Sequence, residues 1–205
     1  MRLAELIMDP DADIGTIAAF LDNLDGPQRW AQLQGLGRVQ QRTLYRKATA
    51  DAIDLTHFVA DADPLKEVIH DGLNTLPVAP PLRRFQKRFC RPAAATPGAD
   101  AARLFGYNEG PTRRLLGPGY FVATSTAEDP AWRPHGGVVV DYVQVPETAV
   151  AEGWPRVVPN SRGLQRFVYY QTRDFVRGVS AHVAIGAAFK RDRPLDHYFV
   201  LCRRD

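Results

Sequence analysis

At 205 residues, with 45% hydrophobic and 24% charged residues, the chain has the composition of a globular protein and not of a disordered or fibrous one. A chain of this length buries roughly 70% of its unfolded surface, so its core needs neither a disulfide framework nor a structural metal. The two cysteines, Cys90 and Cys202, read as a reduced, cytoplasmic setting, and no apolar run reaches the roughly 18 residues of a membrane span, nor does the amino terminus carry the apolar stretch of a secretory leader.

The formal charge of +3 is unevenly spread: Lys and Arg number 6 against 10 Asp and Glu over residues 1–65, 9 against 4 over 66–115, and 11 against 9 over 116–205. Only four of the 26 basic residues are lysines, Lys47, Lys66, Lys87 and Lys190. Arginine richness that runs along the whole chain is not by itself a nucleic-acid signal.

In chain order, Asp11 or Asp13 caps a helix whose face carries Ile14, Ile17, Ala18, Leu21 and Leu24. Pro27 opens a second helix presenting Trp30, Leu33 and Leu36, and a third spans about 39–50. Asp63-Pro64 resembles a cap and first turn, opening a short element that the His70-Asp71-Gly72 turn ends. Residues 82–91 place Leu82, Phe85 and Phe89 on one helical stripe beside a basic face, and proline-rich segments flank them. Runs rich in β-branched and aromatic residues at 120–126, 138–145, 182–190 and 197–203 predict strands, the last two as an antiparallel hairpin; residues 174–179 favour a helix.

These elements predict a single α+β domain over 1–205. Helices of a layer 1–91 pack on a twisted, mostly antiparallel sheet of four or five strands from 119–205, with a loop-rich connection at 92–118. No internal repeat is evident, and no nucleotide loop, nucleophile elbow or zinc-hydrolase pattern occurs. The five histidines form no local metal box, so no metal is assigned, and the pattern names no cofactor.

Two functional readings fit this sequence. In the first, a cleft between helices and sheet holds a small molecule, with or without catalysis. The loops at 106–110 and 117–120 supply Tyr107, Asn108, Arg113 and Tyr120, because glycines allow close approach while phenol, amide and guanidinium groups grip polar ligands. Tyr142 lies on the strand at 138–145, and Arg173 and Arg177 form an i, i+4 pair that invites an anion. The catalytic candidates are Asp141, a carboxylate on a strand apolar on both faces, and His182, at the end of a shallow floor made by Ala184, Gly186 and Ala188. The structural alternatives are an arginine partner for Asp141 and a helix packed on the floor. In the second reading, Arg83, Arg84, Lys87, Arg88 and Arg91 hold an acidic partner or nucleic acid.

Overall fold

A computed structural model describes residues 2–50, 53–93 and 103–204. Four helices come first: α1 Leu3–Met8, α2 Ile14–Asp22, α3 Gly26–Gln34 and α4 Arg38–Lys47. The start of α2 matches one of the two caps read from the sequence, Asp13, and α3 begins at Gly26, one residue before the proline expected to open it. The Asp13 carboxylate accepts from the Thr16 amide at 2.7 Å, and Asp25 and Gln28 form a reciprocal capping box ahead of Pro27. A single turn, α5 Thr56–Val59, precedes the first strand.

The remainder of the chain is not a helix-covered sheet of four or five strands but a closed barrel of eight: β1 Val68–Asn74, β2 Arg84–Cys90, β3 Arg103–Glu109, β4 Phe121–Ser125, β5 Val138–Asp141, β6 Thr172–Gly178, β7 Val183–Lys190 and β8 Arg193–Arg203. Each strand pairs antiparallel with the next, and β1 closes the ring on β8 with Asp71 opposite Cys202, so no edge strand remains among the described residues. Short turns α6 Arg113–Leu116 and α7 Gln165–Val168 sit between strands. The expected hairpin is present: β7 turns into β8 through Arg191 and Asp192, whose φ of 51° and 61° suit a two-residue turn of the left-handed type.

Four expectations are corrected by strand geometry. Residues 82–91 are mostly strand β2, in which Phe85, Lys87 and Phe89 point inward while Arg84, Gln86, Arg88 and Cys90 point outward. The Gly106 to Glu109 segment, expected as a loop, is the end of β3. His70-Asp71-Gly72 is the middle of β1, and 174–179 belongs largely to β6. In each case cross-strand pairing overrides a local helical or turn tendency. The part of the expected connection at 94–102 lies outside the described residues.

The helical layer covers the outside of β7, β8 and β1. Leu6, Ile7, Ile17, Leu21, Leu33 and Leu44 pack on Leu73, Val183, Ile185, Val200 and Cys202. A separate cluster fills the barrel itself: Phe89, Leu104, Phe121, Val138, Val140, Val176, Ala184 and Leu201, stoppered at one end by Ile53, Leu55, Phe58 and Val59. Cys90 and Cys202 are buried on the outer face and are not joined in a disulfide.

Three inward glycines each face a phenylalanine directly across the ladder: Gly72 and Phe85, Gly106 and Phe121, Gly186 and Phe199. The phenylalanine ring lies over the glycine in every pair; a Cβ on Gly72 would come within 2.6 Å of the Phe85 ring, and the other two pairs are tighter still. Glycine kinks covered by a neighbouring aromatic let a small barrel curve without leaving voids. The small-residue floor of β7 is therefore occupied at Gly186 by Phe199, neither by a helix nor by an open cleft.

Candidate functional site in the barrel interior

The two ends of the barrel differ. At the stoppered end the Phe58 ring packs 4.8 Å from Phe89, and His70 Nε2 lies 3.0 Å from the Phe58 carbonyl oxygen. At the opposite end, where β1 finishes and β2 begins, a cavity of about 200 Å³ opens between Leu82, Arg84, Arg113, Leu116, Val168 and Leu195. Its walls include Phe85, Tyr169, Thr172, Ala188, His197 and Phe199. Leu82, Val168 and Leu195 remain 39 to 43% exposed, an apolar rim suited to admitting an apolar molecule.

At the inner end four polar side chains from four strands or their ends converge: Lys87 of β2, Asn108 of β3, Tyr142 just after β5 and Asp174 of β6. Lys87 Nζ donates to Asn108 Oδ1 at 3.2 Å, to Asp174 Oδ2 at 3.0 Å and to the Tyr142 hydroxyl. The Tyr142 hydroxyl also lies 3.1 Å from Asp174 Oδ2, and Asn108 Nδ2 donates to the Gly119 carbonyl at 3.0 Å. Lys87 is 1% exposed and Asp174 6%. Such burial of a charge demands a partner, and each ion is the other's.

Aromatic faces complete the setting. The ammonium stands 4.9 Å from the ring centres of Phe121 and Tyr142, 5.0 Å from Phe199 and 5.9 Å from Phe85. Burial pushes the Lys87 amine below its usual range against the opposing pull of Asp174. Burial, reinforced by the Asp174 charge, holds the Tyr142 phenol well above its ordinary value, so it stays protonated.

Asp174 Oδ2 takes both hydrogen bonds, from Lys87 and Tyr142, while Oδ1 accepts none among the described residues and belongs to a side chain on the cavity wall. In the ladder Asp174 stands beside Ala188, which stands beside His197. The small Ala188 thus separates a carboxylate from an imidazole on the inner wall. His197 Nδ1 is buried without a partner among the described residues.

Of the residues nominated from the sequence, Asn108 and Tyr142 meet in this cluster, and Arg113 lies at the mouth, its Nε donating to Glu109 Oε1 at 2.7 Å. The others are elsewhere. Tyr107 and Tyr120 pack outside the barrel with Trp154 in tilted and edge-on contacts, and the Tyr120 hydroxyl donates to the Pro155 carbonyl. Asp141 takes the arginine partner: its Oδ2 accepts from Arg173 Nε at 3.2 Å, while Arg173 also donates to Asp192 at 2.9 Å and covers Trp132. Arg177 donates to the backbone carbonyls of Tyr45, Ala48, Pro134 and His135, a clamp on the end of α4 with no fork left for an anion. His182 lies at the stoppered end, its Nδ1 3.4 Å from Arg203 Nη2.

The basic stretch does not form one face. Lys87 is inside the barrel, Arg88 pairs with Glu67 at 3.1 Å, Arg83 donates to the Val78 carbonyl and Arg91 to that of Ala60. Arg84 alone of the five is an exposed side chain without a polar partner among the described residues, and it stands at the cavity mouth. A larger outer groove of about 1000 Å³ runs past Trp30, Arg38, Pro77 and Arg83, but it gathers no buried polar cluster among the described residues.

Sequence reasoning missed Lys87 and Asp174 as a pair and missed Tyr169, His197 and Phe199 as walls. A usable signal was the alternation of Phe85, Lys87 and Phe89, whose period of two fits a strand with a lysine on its apolar side. The fold and site define an up-and-down barrel with a polar cluster at the inner end of an apolar cavity. Neither a protein-family model, nor a curated protein sequence, nor a solved structure matches the chain.

Proposed function

We propose that the chain binds a small molecule inside its barrel, between the mouth and the Lys87, Asn108, Tyr142 and Asp174 cluster. One observation carries the reading: a fully buried ion pair, which a packed hydrophobic interior of equal volume would match or better in stability, stands at the inner end of a cavity that reaches the surface. Charged groups held in an apolar cavity orient ligands or handle protons, and perturbed groups of this kind concentrate at functional sites. At about 200 Å³ the cavity is smaller than the roughly 300–1000 Å³ of drug-sized pockets, so the occupant is about one ring in size.

The test fills the cavity from its wall. Ala188→Leu adds bulk between Asp174 and His197 and leaves the four residues of the cluster unsubstituted. Toluene and indole should raise the melting temperature of the wild type and leave that of Ala188→Leu unchanged, since a ligand that binds only the folded state stabilises it by mass action. Equal shifts in both proteins, or none in either, would refute the reading.

A further inference from the structure

We infer that the cavity selects an uncharged single-ring compound bearing a hydroxyl or N–H donor, anchored on the open oxygen of Asp174; the inference rests on the barrel being a ligand site. The hydrogen-bond inventory dictates the polarity of the ligand. All three protons of Lys87 are engaged by Asn108, Tyr142 and Asp174. The Asn108 amide donates to Gly119 and Tyr142, and the Tyr142 proton is shared toward Asp174 or Asn108. No donor of the cluster is left over. The open atom is Asp174 Oδ1, an acceptor, so a ligand that reaches it must donate.

Charge narrows the class further. Lys87 and Asp174 sum to zero, and the ring centres of Phe121, Tyr142 and Phe199 stand 4.9 to 5.0 Å from the ammonium. A carboxylate ligand seated at Asp174 would meet its charge with no free N–H of the cluster to answer it, the unpartnered Arg84 standing out at the mouth, and a cation would leave net charge at the inner end of the cavity. A neutral alcohol, phenol or ring N–H satisfies the carboxylate oxygen without either cost. Shape agrees with this. Phe85, Tyr169 and Phe199 offer flat apolar walls, and the gap over Ala188 between Asp174 and His197 leaves room for one ring.

The decisive experiment is calorimetric titration with three compounds of matched shape, para-cresol, para-methylanisole and para-toluate. Para-cresol should bind at least about ten-fold more tightly than the ether, because the ether leaves Asp174 Oδ1 desolvated and unpaired, and para-toluate should bind most weakly. The double variant Lys87→Met/Asp174→Leu removes both charges together and should bind cresol and ether within about two-fold of each other, the donor contribution having gone. Equal wild-type affinities for cresol and ether would overturn the Asp174 anchor while leaving the cavity as a binding site. Tightest binding of para-toluate, or a cresol preference that survives in the double variant, would overturn it as well. Binding of none of the three would remove the cavity reading itself, and this inference with it.

Discussion

The Lys87 ammonium lies 3.0 Å from the Asp174 carboxylate, and the two strands that carry them, β2 and β6, stand opposite each other in the ring of eight. The pair is therefore a strut across the interior, held by Asn108 and Tyr142 at its middle. Removing one member leaves a buried charge, whereas removing both leaves an apolar interior. Lys87→Met alone should cost about 3–5 kcal/mol, and Lys87→Met/Asp174→Leu should recover most of that loss. Urea unfolding of the three proteins measures both values; a single variant within about 1 kcal/mol of wild type would mean that the strut is not formed.

The Phe199 ring over Gly186 sets a second expectation. Gly186→Val places a branched side chain where the ring already lies and should cost about 1–3 kcal/mol, despite the strand preference of valine. Phe199→Ala in the same chain should relieve part of the clash, giving a cost below the sum of the two single variants. Strict additivity in thermal unfolding would show that the two positions do not touch.

Two histidines at the stoppered end make stability depend on pH. Burial lowers His57 from 6.5 to about 4 and His70 from 6.5 to about 3. Both are neutral in the folded chain where the unfolded chain is protonated, so the unfolded state binds more protons below about pH 6.5. Stability is complete above that value and falls as the pH drops toward 4 and 3. His70 alone accounts for on the order of 3 kcal/mol by about pH 4. Unfolding free energies of wild type and His70→Gln across this range should converge as the pH falls, and parallel curves would contradict the assignment.

Arg177 ties the end of α4 to the 134–135 segment through four carbonyl oxygens and lies 4.2 Å from the Tyr45 ring centre. Lysine cannot reproduce that fork. Arg177→Lys should cost about 2 kcal/mol and speed hydrogen exchange at the end of α4 while leaving the interior of β6 protected. Faster exchange throughout β6 would instead make Arg177 part of the barrel's own stability.

Legibility in the sequence followed the kind of signal each element carries. The starts of α2 and α3 were readable because Asp13 and Pro27 act within one turn of themselves, and the β7–β8 hairpin because Val183, Ile185, Ala187 and Phe189 alternate cleanly with small residues. Strands β2 and β6 were concealed by their own buried charges, since an inward Lys87 and an inward Asp174 interrupt the apolar period that marks a strand. Arg173 and Arg177 then read as a helical pair when they are outward positions of one strand. Asn108 and Tyr142 were nominated as polar ligands, but the cluster they complete forms only when the ring closes, and closure is a pairing of β1 with β8 across more than a hundred residues of chain. The cleft expected between helices and sheet gave way to a cavity inside the barrel for the same reason.

The interior location of the ligand site is tested most directly by recording amide chemical shifts of the full chain during titration with para-cresol. Saturable shifts are expected at Phe85, Asn108, Tyr169, Asp174 and Ala188, which surround the cavity and its polar end, with the amides of α1 and α2 on the outer surface unmoved. Shifts centred on the helical layer or on the groove beside Trp30, with Asp174 and Ala188 unaffected, would place the binding surface outside the barrel and contradict an interior site.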